Sequence, residues 1–169
     1  MPAPHEPASS GAPFAVVVTV SDRSARGERP DASGPAAAAA LRLAGFRVDD
    51  VRVVPDGTDS VREALRAAVE AGADLVVTLG GTGVGPRDRT PEGTRAVLDR
   101  ELPGVAEAIR AAGRAETPTA ALSRGVAGVV DRTFVVNLPG APQAARDGVA
   151  VLAPLVPHVL DQLDGGDHG

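Results

Sequence analysis

The sequence has no cysteine, no lysine, no tryptophan and no tyrosine, and only three phenylalanines in 169 residues. Each absence removes a chemistry. Without cysteine there is no disulfide, no thiolate nucleophile and no sulfur-ligated metal. Without lysine there is no Schiff base and no P-loop lysine, and all 17 basic residues are arginines. Aromatics at 2% leave little for bases to stack on, and a net charge of −5 argues against a nucleic-acid surface, which needs a basic stripe. The three histidines are His5, His158 and His168. Two fall in the terminal tails and one on an apolar helical pattern, which argues against a histidine-based triad. An enzyme of this composition would use carboxylates as its acids and bases, with arginines or metal ions as its cations. No run approaches the roughly 20 apolar residues of a membrane span. The N-terminal MPAPHEPASSGAP lacks the basic region of a secretory signal. The expectation is a cytoplasmic protein with no membrane partner.

What is present suffices for one domain: 43% hydrophobic residues, with a core to be built from Ala, Val and Leu. Residues 1–13 and 165–169 read as disordered tails from their composition, leaving 14–164 as the domain. Phe14 to Val20, FAVVVTV, reads as a strand buried on both faces. Ser21 to Ser33 reads as a long loop of the kind that often carries function. A helix is expected over Ser33 to Gly45, a strand over Phe46 to Val54, a helix over Ser60 to Ala71 and a strand over Asp74 to Leu79. Further helices are expected over Pro91 to Arg100 and Pro103 to Arg114. Val126 to Val130 and Thr133 to Asn137 read as paired strands, followed by a helical region split at Pro154 and Pro157. The alternation predicts a three-layer α/β/α sandwich around a largely parallel sheet, with ligands bound beyond the carboxyl ends of its strands.

Four strand exits carry polar or glycine-rich segments: Ser21-Asp22-Arg23, Asp56, Gly80-Gly81-Thr82-Gly83 and Asn137-Leu138-Pro139-Gly140. The glycine loop lacks the Gly-Lys-Ser/Thr of a Walker A motif, and Pro86 stands where GxGxxG needs its third glycine. Its amides could form an anion-binding nest, with Thr82 adding a hydroxyl and Arg87 a planar cation; equally, the glycines could serve a tight strand-to-helix turn. Asp56 and Asp88 could share Mg²⁺ with a substrate phosphate. Alternatively, Asp56 is the turn residue of Pro-Asp-Gly and Asp88 pairs with Arg87 or Arg89. Thr90-Pro91-Glu92 reads as a helix start. Ser123, before Arg124-Gly125, could bind a ligand or make a turn. Asn137 could read a base edge or hold loop backbone.

TLGGTGVGPRDRTPE (Thr78 to Glu92) resembles the signature TxGGTGxxxxDxTPE of the molybdenum-cofactor biosynthesis domain. TVSDR, VPDG, ALSRGVAG and NLPGAP extend the resemblance in the right order over residues 14–163. The chain is similar to the MoaB/Mog family and to the G domains of gephyrin and its plant counterpart. The resemblance implies a cytoplasmic oligomer, a trimer or a hexamer, that takes molybdopterin and ATP. It implies Mg²⁺-dependent transfer of AMP to the pterin's terminal phosphate, releasing pyrophosphate, and a molybdenum-insertion enzyme as downstream partner. By motif, the catalytic and metal-binding aspartates are Asp56 and Asp88. Substrate contacts fall on Ser21, Asp22, Gly80, Gly81, Thr82, Gly83, Arg87, Thr90, Pro91, Glu92, Ser123, Arg124, Gly125, Asn137, Pro139 and Gly140. Two further readings are a MoaB-like oligomer that binds pterin or nucleotide without catalysis, and a nucleotide pyrophosphatase like the related CinA-type domain. The chain departs from the family pattern at Gly93, where Ala is common, at Asp131, where a turn Gly is common, and at Ala141, where a polar residue is common.

Overall fold

In the computed structural model, which describes residues 11–166, three apolar runs form the centre of the sheet: β1 (Phe14–Val20), β4 (Leu75–Leu79) and β7 (Thr133–Leu138). Their side chains alternate between two cores, as a period of two residues requires. Ala15, Val17, Leu75, Val77, Leu79, Phe134, Val136 and Leu138 face one layer; Val16, Val18, Val20, Val76 and Val135 face the other. Burial on both faces is why these runs are continuously apolar rather than alternating with polar residues.

The remaining elements, in chain order, are α1 (Asp22–Ala25), α2 (Ser33–Leu43), β2 (Arg47–Val48), β3 (Arg52–Val54), α3 (Thr58–Glu70), α4 (Thr90–Arg95), β5 (Arg100–Glu101) and α5 (Pro103–Glu116). A 3₁₀ turn at Pro118–Leu122 precedes β6 (Ala127–Val130). After β7 come α6 (Pro142–Leu152), a 3₁₀ turn at Ala153–Leu155 and α7 (Val156–Leu163). The sheet runs β2-β1-β4-β7-β6-β5, with β3 also paired to β1. The pairs β1–β2, β1–β3, β1–β4 and β4–β7 are parallel, and β6–β7 and β5–β6 are antiparallel. Residues from α2, α5, α6 and α7 fill one layer, and α3 with Val97 and Leu98 fills the other. The expected three-layer, largely parallel architecture is the one observed.

Local expectations needed four corrections. The stretch Phe46 to Val54 is two strands, not one. Ala15 pairs with Val48 but Val18 pairs with Arg52, so the edge strand carries one extra residue between them. The loop Ser21 to Ser33 contains α1, which is capped by Ser21 accepting the Ser24 amide at 3.2 Å and buries no residue. The helix expected over Pro91 to Arg100 stops at Arg95, and the chain re-enters the sheet as β5. The 3₁₀ turn at Pro118–Leu122 was not anticipated.

His158 is exposed on α7. The residues 1–10 and 167–169 of the expected tails, with His5 and His168, lie outside the described residues. Pro13 already pairs, its carbonyl accepting the Arg47 amide at 2.9 Å. Among the described residues no helix is long and apolar enough to cross a membrane.

Two departures from the family pattern have structural reasons. Asp131 sits at φ 48 in the β6–β7 turn, a left-handed conformation that Asp tolerates better than most residues. Its amide is held by Asp99 Oδ2 at 2.8 Å. Gly93 lies where α4 presses on α3: a Cβ there would meet the Thr58 carbonyl oxygen at 2.7 Å and Val61 Cβ at 2.8 Å. Helix propensity favours Ala at such a position, but backbone and a β-branched side chain give way poorly. Gly93→Ala is therefore expected to destabilise the fold by about 1–3 kcal/mol, the usual cost of overpacking. Urea unfolding of both proteins checks this; a more stable variant would show that the helices separate freely.

Candidate functional site

The carboxyl ends of β1, β3, β4 and β7 open onto a polar cleft of about 780 Å³. The residues that line it include Ser21, Asp56, Gly80, Gly81, Asp88 and Gly140, all expected from the sequence. A second hollow, of about 400 Å³, lies on the other side of the glycine loop, between that loop, α5, the Pro118–Leu122 turn and α6. It is lined largely by apolar surface and takes in Thr82, Gly83, Ser123 and Pro139. Ala141 borders both hollows.

The glycines are required by close approach. Gly80 has φ 97, and a Cβ on it would fall 2.6 Å from the Val20 carbonyl oxygen of the neighbouring strand. Gly81 has φ 69, and its Cβ would collide with Thr90 Oγ1. The Gly80 amide donates to Leu138 O at 3.1 Å, while the amides of Gly81, Thr82 and Gly83 have no partner among the described residues. Open amides after a strand, in a positive-φ turn, have the geometry that can receive an anion. The N-terminus of α6 adds to it. Its N-cap, Ala141, makes no side-chain cap, and Pro142 follows, so the first-turn amides face the shared border of the two hollows uncapped.

A second set of expected residues braces the loop. Arg124 donates from Nε to Gly83 O at 2.7 Å and from Nη2 to Asp88 O at 2.8 Å, and its Nη1 pairs with Glu92. The guanidinium beside Glu92 holds that carboxyl below its ordinary pKa. Thr90 is buried under the loop and donates its hydroxyl to Gly80 O at 2.8 Å; Pro91 is buried next to it. The Gly125 carbonyl accepts from Arg110 at 2.9 Å. Asn137 is 4% exposed and its amide is fully used: Oδ1 accepts from the Val126 amide at 3.1 Å, and Nδ2 donates to Thr78 Oγ1 at 2.8 Å and Thr94 Oγ1 at 3.0 Å. Of the two roles open to Asn137, holding backbone is the one realised.

Arg87 engages its fork within the protein. It pairs with Asp22 through Nε at 3.0 Å and Nη2 at 3.1 Å, and reaches the Asp56 carbonyl at 3.1 Å. Asp22 and Asp56 also clasp each other: each donates its amide to the other's carboxylate, at 3.0 and 3.1 Å. The hydrogen bond from Arg87 holds the Asp22 carboxyl below its ordinary pKa. Burial pushes Asp56 the other way, and the nearby charges of Asp22 and Asp88 add to the rise. Asp88 makes no ion pair with Arg87 or Arg89; its Oδ2 accepts the Gly85 amide at 2.9 Å.

The sequence matches a known family. The domain described as "Probable molybdopterin binding domain" aligns with residues 16–158. The chain belongs to that family. It is 40% identical over 149 residues to the molybdopterin adenylyltransferase of Pyrococcus furiosus, covering 85% of this chain and 87% of that protein. Over 156 residues it is 42% identical to the molybdenum cofactor biosynthesis bifunctional protein of Synechococcus elongatus. It covers 92% of itself there but spans only about half, 49%, of that relative. The solved Mog protein from Mycobacterium ulcerans superposes with a TM-score of 0.84 at 50% identity, covering 90% of this chain and 99% of that one.

In this member of the family, sequence reasoning missed several residues that the fold brings to the hollows. Arg29 and Asp31 line the polar cleft. Arg110, Glu116, Gln143 and Asp147 line the second hollow. The only signal for Arg29 and Asp31 was the unusual length of the loop that holds them. The other four sit on helices, with nothing in their spacing to mark them.

Proposed function

We propose that the protein transfers AMP from ATP to the terminal phosphate of molybdopterin and releases pyrophosphate. The observation that carries this reading is the pair of hollows meeting at one anion nest. The wide polar cleft, with its carboxylates, suits the nucleotide and its phosphates, and the narrower apolar hollow suits a flat heterocycle. The adenylyltransferase names of relatives that this chain matches over most of their length support the same reading.

The cleft's donor set fits Mg²⁺. Asp56 commits Oδ2 to the Asp22 amide and Asp88 commits Oδ2 to the Gly85 amide; the Oδ1 atoms of both have no hydrogen-bond partner among the described residues. Two available carboxylate oxygens, with no cluster of three or more such ligands among the described residues, suit an ion that takes one or two carboxylates and completes its shell with substrate phosphate and water. Asp56 and Asp88 would hold it, and it would supply charge neutralisation at the reacting phosphate.

The chain's own residues position the reactants. Open amides of Gly81 to Gly83 and of the first turn of α6 hold phosphate oxygens at the border of the hollows. There an oxygen of the pterin phosphate attacks the α-phosphorus of ATP. The bond from that phosphorus to the bridging oxygen breaks, and its electron pair leaves on pyrophosphate. The nucleophile is already ionised, so no proton has to be removed, and a site without lysine, cysteine or histidine is sufficient. Arg124, Glu92 and Thr90 keep the loop in shape.

Incubation with molybdopterin and Mg-ATP, followed by mass detection, should yield adenylylated pterin and an equal amount of pyrophosphate. Binding of both substrates with no adenylylated product would overturn the reading in favour of a binding protein.

A further inference from the structure

We propose that Arg29 is the residue that receives the terminal phosphates of the nucleotide, making this protein selective for a triphosphate; the proposal rests on the adenylyl-transfer reading above. Among the described residues four ionisable side chains line the polar cleft: Asp31, Asp56, Asp88 and a single cation, Arg29. Mg²⁺ held by Asp56 and Asp88 would offset part of a polyanion's charge, and for the rest the cleft's own lining offers that guanidinium, provided it is available. It is available, because Arg29 pairs with no carboxylate among the described residues. Its neighbours are engaged elsewhere. Glu28 holds Arg26 at 2.8 Å, and Asp31 takes the Thr19 hydroxyl at 2.8 Å and the Gly34 amide at 3.0 Å. Two other arginines close to the glycine loop are engaged: Arg87 is clamped on Asp22, and Arg124 on loop carbonyls and Glu92. Arg89, which follows Asp88, is exposed and does not line the cleft.

The position of Arg29 is held from its C-terminal side. Pro30 fixes the backbone that follows, and Asp31 ties that backbone to β1 and to the start of α2. Arg29 lines the wide cleft only, away from the border that Ala141 shares with the apolar hollow. The phosphate that reacts with the pterin belongs at that border, so a cation set away from it meets the β- and γ-phosphates. A guanidinium fork matches two phosphate oxygens. As the bond from the α-phosphorus breaks, the electron pair moves onto pyrophosphate, and Arg29 faces that growing charge without any proton transfer.

Calorimetric titration of the full chain with ATP, AMP and pyrophosphate, each with Mg²⁺, tests the proposal on the parent, Arg29→Ala and Arg29→Lys. Arg29 is exposed, so an unchanged melting temperature is expected. Arg29→Ala should weaken ATP and pyrophosphate by about 10- to 100-fold, the scale of a lost charge-assisted hydrogen bond, and leave AMP unchanged. Arg29→Lys should recover part of the loss. If Arg29→Ala keeps the parent's preference for ATP over AMP, or weakens both equally, the assignment of Arg29 fails while adenylyl transfer stands. If the parent binds pyrophosphate through Arg29 but forms no adenylylated pterin, the polyphosphate role stands and the transferase reading fails.

Discussion

Asp88→Asn should lower adenylyl transfer by about 10²- to 10³-fold, or about 3–4 kcal/mol in transition-state stabilisation, while pterin binding stays within a few fold of the parent. Asp56→Asn should behave the same way. Both expectations follow from how each carboxylate divides its oxygens. One oxygen accepts a backbone amide, from Gly85 or from Asp22, and the carbonyl oxygen of asparagine can take that role, so loop and turn survive. The other oxygen, without a partner among the described residues, carries the charge that would hold a metal, and asparagine removes it. On the adenylyl-transfer reading, the anionic pterin phosphate would seek amide donors and so should not depend on either carboxylate. Because burial and the nearby aspartates raise the pKa of Asp56, its charge is lost at a higher pH than that of an exposed aspartate. Falling pH should therefore remove charge and turnover together. Steady-state rates and pterin titrations on both variants decide the matter. Parent-like turnover in Asp88→Asn would eliminate the metal role, and an equal loss of pterin binding would make Asp88 only a brace for the loop at Gly85.

Asn137→Ala should cost about 2–4 kcal/mol of stability. The side chain supplies the Val126 amide with its acceptor and joins Thr78 on β4 to Thr94 on α4. Alanine leaves a buried amide unpaired, at about 1–3 kcal/mol, and a cavity that adds to the loss. Urea unfolding should show a lower midpoint with an unchanged slope. A stability within about 0.5 kcal/mol of the parent would show that water takes over these bonds. The contrast with the aspartates is the useful part: Asn137 lies in the same strand-exit motif as the site, yet its effect should appear in stability first.

What could be read from the sequence followed burial. β1, β4 and β7 are apolar on both faces, and no other element type fits such short runs between turn signals. α1 and β5 were illegible for the opposite reason. α1 buries no residue and depends on one serine cap, and β5 is two exposed charged residues at a sheet edge. The strand exits converge on one cleft because a parallel sheet collects them at one edge. The division of labour within that edge could not be read. Whether Arg87 faces a ligand or Asp22, 65 positions away, and whether Arg124 binds substrate or Glu92, 32 positions away, is settled only by tertiary packing. Arg29 shows the same limit: its significance is that it is the sole cation lining the cleft among the described residues, a property no local pattern carries.

The pairing of β4 with β7 has a consequence for how the protein comes to exist. Leu75 lies beside Phe134, and Leu79 beside Leu138, so the glycine loop, α4, α5 and β6 all form one long excursion between two adjacent central strands. Closing such a loop costs entropy before any contact repays it, and contacts this distant in sequence form slowly. Until β7 docks, the Gly80 amide lacks Leu138, and the border with α6 does not exist. A chain emerging from the ribosome therefore completes this cleft only after β7 has been made, in the same event that completes the sheet.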